Sequence, residues 1–215
     1  MRNNKRVIYT SSYDRGLEHL LALWPKVKEA VPEATLDIFY GWTLFDKFHK
    51  DNPSSAKWKE RMLEMMKAPG VTEFGRVSQE AIAKEMSETG IWAYPTHFGE
   101  INCITALKAQ AYGAIPVVVN YAALKTSVQF GVKVDGDIYD PEVKETFTQE
   151  LIKALNKDWD RQEMMDWASK KFPWSEIAKH WDACFNDKPY EFWTDLPNKA
   201  VIVNGYTGKE ESGKS

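Results

Sequence analysis

Three short stretches hold the residues best able to do chemistry together: SSYDRG at 11–16, EFGRVS at 73–78, and PTHFGEINC at 95–103. Their candidates are two arginines (Arg15 and Arg76), the acid Glu100 and the histidine His97, and the third stretch ends at Cys103, where a helix is expected to begin. Two guanidinium groups beside the open amides of a helix start are what a diphosphate needs. Arginine forks match phosphate oxygens, and the amides are fixed donors in a favourable dipole field. A carboxylate in the same place suits sugar or ribose hydroxyls, from which it can accept two hydrogen bonds. Plainer readings stay open at this point. Glu100 also fits a cap that complements the helix dipole, Arg15 can pair with Asp14 or Glu18, and Arg76 can be a solvated surface arginine. His97 is a candidate polar contact, while His19, His49 and His180 read as structural or exposed and the four form no metal cluster. Cys103 at a helix start could have a lowered pKa, although a small residue presenting its backbone N–H is the first reading. Neither a GxGxxG nor a GxxxxGK[ST] phosphate loop occurs, and GxSxG is absent.

These residues need a scaffold. Residues 91–94 and 116–119 read as buried strands joined through a loop (95–102) and a helix (103–112), with Gly113 as its C-cap and Pro116 opening the second strand. Such a unit is a right-handed βαβ crossover in a parallel sheet, and ligands sit beyond the carboxyl ends of such strands. Upstream, residues 6–12 and 35–40 read as strands around a helix with Leu17, Leu20, Leu21 and Trp24 on one face, which Pro25 kinks or splits. Ser54 reads as the N-cap of a helix to Lys67 with Trp58, Met62, Leu63 and Met66 inward. A short strand at 71–77 follows, then a helix begun by Ser78. Past 119 come a loop with a short helix, a short strand at 132–134, and helices at 142–155, 161–171 and 174–185. The expected fold is α/β: one Rossmann-like domain with a parallel sheet and a helical C-terminal appendage over 1–185, then an irregular, partly disordered tail over 186–215.

Totals narrow the classes. The 215 residues carry 28 Lys+Arg against 31 Asp+Glu, a net charge of −3 with no basic block, which argues against a nucleic-acid partner. Nine tryptophans are scattered and read mostly as packing residues. Two cysteines make no disulfide framework and lack zinc spacing. Without a signal-like or membrane-length apolar run, a cytoplasmic chain is expected.

The segment PTHFGEINCITALKAQAYGAIPVVV resembles the E-x7-E region of retaining GT-B glycosyltransferases, the large family that includes sucrose synthase and bacterial mannosyltransferases. YTSSYDRGLEHLLALWP resembles the first strand and helix of their C-terminal, donor-binding domain, and EFGRVSQEAIAKEMSETGIWAYPT the segment before the motif. The resemblance spans residues 6–181. It implies a nucleotide-diphosphate sugar as co-substrate, with no metal or other cofactor. Arg15 would bind the pyrophosphate, with Ser12 and His97 in the donor-binding set. Glu100 would contact sugar hydroxyls, the amides of Ile101, Asn102 and Cys103 would receive phosphate, and Arg76 and Val77 would lie beside the base. Two positions depart from the pattern: Lys108 stands where the second glutamate would hold the ribose, and Thr10 where a further basic residue is usual. The resemblance further implies transfer with retention of configuration. The leaving diphosphate would be stabilised electrostatically without a protein nucleophile. A separate or missing N-terminal domain would carry the acceptor, whose identity is open. The alternative is a non-catalytic Rossmann-like module binding a nucleotide or a partner; a sugar-phosphate isomerase is a weaker third reading. Exposed apolar residues around Tyr13 and Phe98 are expected to drive self-association if that face is normally covered.

Overall fold

Strands with no polar alternation must be covered on both faces, and the central strands of this chain have none. The structure, a computed structural model, describes residues 1–189 and 196–211. It begins with β1 (Asn3–Tyr9), α1 (Leu17–Ala30), β2 (Thr35–Phe39), α2 (Thr43–His49), α3 (Pro53–Met65), β3 (Val71–Gly75), α4 (Gln79–Glu88) and β4 (Thr89–Tyr94). It continues with α5 (Ile104–Ala111), β5 (Ile115–Val119), α6 (Leu124–Ser127), β6 (Val132–Asp135), α7 (Pro141–Asn156), α8 (Gln162–Lys171), α9 (Trp174–Phe185) and β7 (Val201–Asn204). Every residue of β4 and β5 is buried.

The seven strands form one sheet in the order β3-β2-β1-β4-β5-β6-β7, and every pairing is parallel. The chain runs outward from β1 in one direction through β2 and β3, then returns to lay β4 against β1, with Val7 opposite Ile91 and Ile8 opposite Trp92. The strand order therefore reverses between β1 and β4, and a crevice opens there at the carboxyl edge. Helix α7 packs across β1, β4, β5 and β6, and α1 lies beside it. Trp24, Trp92, Tyr9, Tyr94 and Phe147 are among the largest fully buried side chains of the core.

Several local expectations change. Pro25 does not split α1, which runs unbroken from Leu17 to Ala30. The N-cap of α3 is Asn52, not Ser54: its side chain accepts from the amides of Ser54 and Ser55 at 3.0 and 3.3 Å. Pro53 at the first helical position needs no donor of its own, so the cap moves upstream. Leu63 on that helix is exposed, not inward. Ser78 caps α4 as expected, accepting from the Ala81 amide at 3.2 Å. Trp174 and Trp181 on α9 are exposed and not part of the core, Trp181 stacking on Phe185 of the same helix, and Trp193 lies outside the described residues.

The stretch after 186 is not irregular throughout. Val201–Asn204 adds to the sheet edge beside β6 with Val203 buried, and the next residues fold back on it through a bridge between Val203 and Glu210. Four residues are too few for a period to show. The neighbouring strand's free edge selects them instead. The rest of the expected disordered tail, 190–195 and 212–215, lies outside the described residues.

Candidate functional site

The turn after β1 and the loop after β4 meet at one glycine. Gly16 has φ +112°, and a Cβ on it would lie 2.5 Å from the Pro95 carbonyl oxygen and 2.9 Å from Thr96 Cα. Only a residue without a side chain allows this approach. Just before it, the Arg15 amide donates to the Ser12 carbonyl at 3.0 Å and closes the turn. The same carbonyl accepts from the Tyr9 hydroxyl at 2.8 Å, so a core tyrosine on β1 pins the turn.

The outcome is contact between the two residues that the sequence singles out. Arg15 Nη1 donates to Glu100 Oε1 at 3.3 Å, and the guanidinium lies 4.0 Å above the Phe98 ring. Tyr94, the last residue of β4, donates its hydroxyl to the same Oε1 at 2.8 Å. Burial first, and then the adjacent carboxylate, push the Tyr94 hydroxyl up, so it stays a donor to Glu100. Both contacts use Oε1, and neither occupies Oε2.

A cavity opens at this pair, lined by Thr10, Ser12, Arg15, Glu100, Asn102, Cys103 and the first turn of α5, Ile104 and Thr105. Cys103 is the N-cap of α5 and makes no side-chain cap hydrogen bond. A second cavity, lined by Arg76, Val77, Gln79 and Lys108, adjoins the first, and Thr10, Tyr40, Ile104 and Thr105 border both. Thr10 Oγ1 lies between them, buried and without a hydrogen-bond partner. Tyr40 carries φ +131°, a conformation that a tyrosine rarely adopts, and borders both cavities.

Of the residues predicted from sequence, Arg15, Glu100, Ser12, Asn102 and Cys103 line the first cavity and Arg76, Val77 and Lys108 the second. Two fall elsewhere. The Ile101 side chain is almost fully exposed and lines neither cavity. His97 turns away to a separate cavity with Tyr121, Asp137 and Tyr139, where its Nδ1 lies 3.3 Å from Nε2 of the buried His19. The loop reverses between 97 and 100, so neighbours in sequence face different cavities. A lowered Cys103 pKa is not found. Burial pushes the thiol up to about 12, outweighing the nearby amides and Arg15. Tyr13 is buried, not exposed: its hydroxyl donates to Glu73 at 2.5 Å and accepts from the Gly41 amide at 2.9 Å. Phe98 does remain partly exposed.

Sequence reasoning missed Tyr94 and Tyr40 and read Thr10 only as a departure. A tyrosine at the end of β1 and β4 and just past the end of β2 was the available signal, because a phenol at a strand's carboxyl end can reach the loops beyond it. Among the described residues no group of three or more His, Cys, Asp or Glu could hold a metal ion. Nor, among the described residues, is any helix long and apolar enough to cross a membrane.

No protein-family model matches the chain, and no curated protein matches it in sequence. Solved structures do match it in shape. A GtfA/B complex superposes with a TM-score of 0.66 at 15% identity over 86% of this chain and 36% of that one. The sucrose-phosphate synthase of Thermosynechococcus elongatus gives 0.65 at 17% identity over 85% and 45%. Anabaena HepE, solved in complex with UDP and glucose, gives 0.60 at 14% identity over 86% and 49%. The chain thus spans less than half the length of the structures it matches. The likeness shows the fold, one half of a GT-B arrangement.

Proposed function

We propose that this chain is the donor-binding half of a glycosyltransferase and grips a nucleotide-diphosphate sugar in the crevice between β1 and β4. One observation carries the reading. A guanidinium, a carboxylate with one oxygen still open, and the first turn of a helix converge on a single cavity at the sheet's switch point. The Arg15 guanidinium has five N–H donors and gives one to Glu100, so the others can take diphosphate oxygens. Glu100 Oε2 is left to accept from sugar hydroxyls, and Tyr94 holds the carboxylate in place. As the glycosidic bond breaks, charge grows on the leaving diphosphate, where Arg15 and the α5 dipole stabilise it more than in the ground state. No side chain here is required as a nucleophile, which fits transfer with retention. The acceptor would enter from a second domain, in keeping with the span of under half of each matched structure. The reading places the protein in the cytoplasm.

The test is a calorimetric titration with UDP-, GDP- and ADP-sugars. Arg15→Ala is expected to weaken nucleotide and nucleotide-sugar alike, and Glu100→Ala to weaken only the sugar-dependent part, each by about tenfold or more. No binding of any donor at millimolar concentration would overturn the reading.

A second reading, a binding module without catalysis, is favoured by Lys108, whose ammonium donates to Gln79 and cannot accept from ribose hydroxyls. Donor hydrolysis by the isolated chain, with candidate acceptors present or absent, separates the two. Turnover excludes the module.

A further inference from the structure

The second cavity has a chemistry of its own. Arg76, Gln79 and Lys108 line it beside Thr10. Lys108 Nζ donates to the neutral amide oxygen of Gln79 at 2.6 Å. Among the described residues, neither Lys108 nor Arg76 has a carboxylate within ion-pair distance. The charged and amide side chains therefore present two full positive charges and an amide, and the lining holds no acid.

A vicinal diol is recognised by an acceptor for its two O–H groups, and a carboxylate is the usual one. A cavity with an excess of cationic donors suits the opposite partner, a group with several anionic acceptor oxygens. The walls are also those of the neighbouring site, because Thr10, Tyr40, Ile104 and Thr105 border both cavities. One ligand can therefore occupy both. Building on the function proposed above, we infer that the ligand carries, beyond its diphosphate, a phosphate monoester that enters the Arg76–Lys108 cavity. A nucleoside diphosphate phosphorylated on its ribose is the class that fits.

The experiment uses the full chain and isothermal calorimetry. The probes are the nucleoside diphosphate that binds best, its 2′- and 3′-phosphorylated derivatives, and inorganic phosphate. One phosphorylated derivative is expected to bind about tenfold or more tightly than the parent, the worth of one well-placed charge-assisted contact. Lys108→Glu is expected to reverse that ratio and Arg76→Gln to shrink it, with circular dichroism confirming that both variants fold and Lys108→Gln serving as a milder change. Equal affinity for parent and derivatives, with the parent still bound, would overturn this inference and leave the donor site standing. Inorganic phosphate binding that Lys108→Glu abolishes, without any advantage for the derivatives, would also overturn it. Failure of every nucleotide to bind would sink both.

Discussion

Removing the Glu100 carboxylate tests whether the site is held together as described. In Glu100→Ala the Tyr94 hydroxyl, buried at the end of β4, loses the acceptor it reaches at 2.8 Å. A buried hydroxyl that loses a charged acceptor costs about 1–3 kcal/mol, and the Thr96 and Ser11 side chains that also act on this hydroxyl hold the loss toward the lower end. The Arg15 contact adds little, because its side chain is 38% exposed and the 3.3 Å pair is screened, so about 0–1 kcal/mol is assigned to it. The sum, about 2 kcal/mol, should lower the melting temperature by about 4–8 °C for a chain of this size. Tyr94→Phe removes the donor and should cost about 1 kcal/mol. The double variant should then be about 1 kcal/mol more stable than the two single losses predict, because the hydroxyl that lost its carboxylate acceptor is gone. Urea unfolding of wild type, both single variants and the double variant measures this directly. Strict additivity, within about 0.3 kcal/mol, would refute the claim that Tyr94 positions Glu100.

Gly16→Ala should destabilise the chain by more than about 2 kcal/mol, since the new methyl meets the Pro95 carbonyl at 2.5 Å on top of a positive φ. Gly208→Ala, with φ +66° and nothing within 4 Å, should cost about 1 kcal/mol, and equal urea midpoints for the two variants would refute the contact. Burial, then the neighbouring His97 and Lys144, hold the His19 pKa down at about 4, with Glu18 and Asp137 opposing weakly. The unfolded chain therefore takes up this proton near pH 6.5 and the folded one only near 4, so stability should fall as pH drops through that window, by up to about 3 kcal/mol. His19→Gln should flatten the dependence, and an unchanged slope of urea midpoint against pH would count against it. A thiol reagent at pH 8 should modify one cysteine quickly, the exposed Cys184, and reach Cys103 only on unfolding. Two fast equivalents from the native protein would contradict the buried, raised thiol.

How far the fold was legible depends on where its signal is stored. The βαβ unit of β4, α5 and β5 shows in the sequence because buried parallel strands are apolar throughout and their joining helix ends at a glycine, both properties of consecutive residues. Arg15 and Glu100 were legible for the same reason: each lies in a turn that chain periodicity places at the sheet's carboxyl edge. Lys108 was visible as a basic residue out of pattern, but its neighbours Arg76 and Gln79 come from a different turn and helix.

What the chain's own order determined was the alternation of strand and helix, hence a parallel sheet and the edge at which a ligand is expected. Tertiary structure alone decided which groups meet there. It turned His97 to His19 and away from Glu100, gave Glu100 a tyrosine from β4, and left the Thr10 hydroxyl unpaired between two cavities. It also recruited Val201–Asn204 to an open sheet edge. Each of these depends on contacts between residues far apart in sequence or on the sense of a loop's reversal, and neither leaves a local period for a sequence to display.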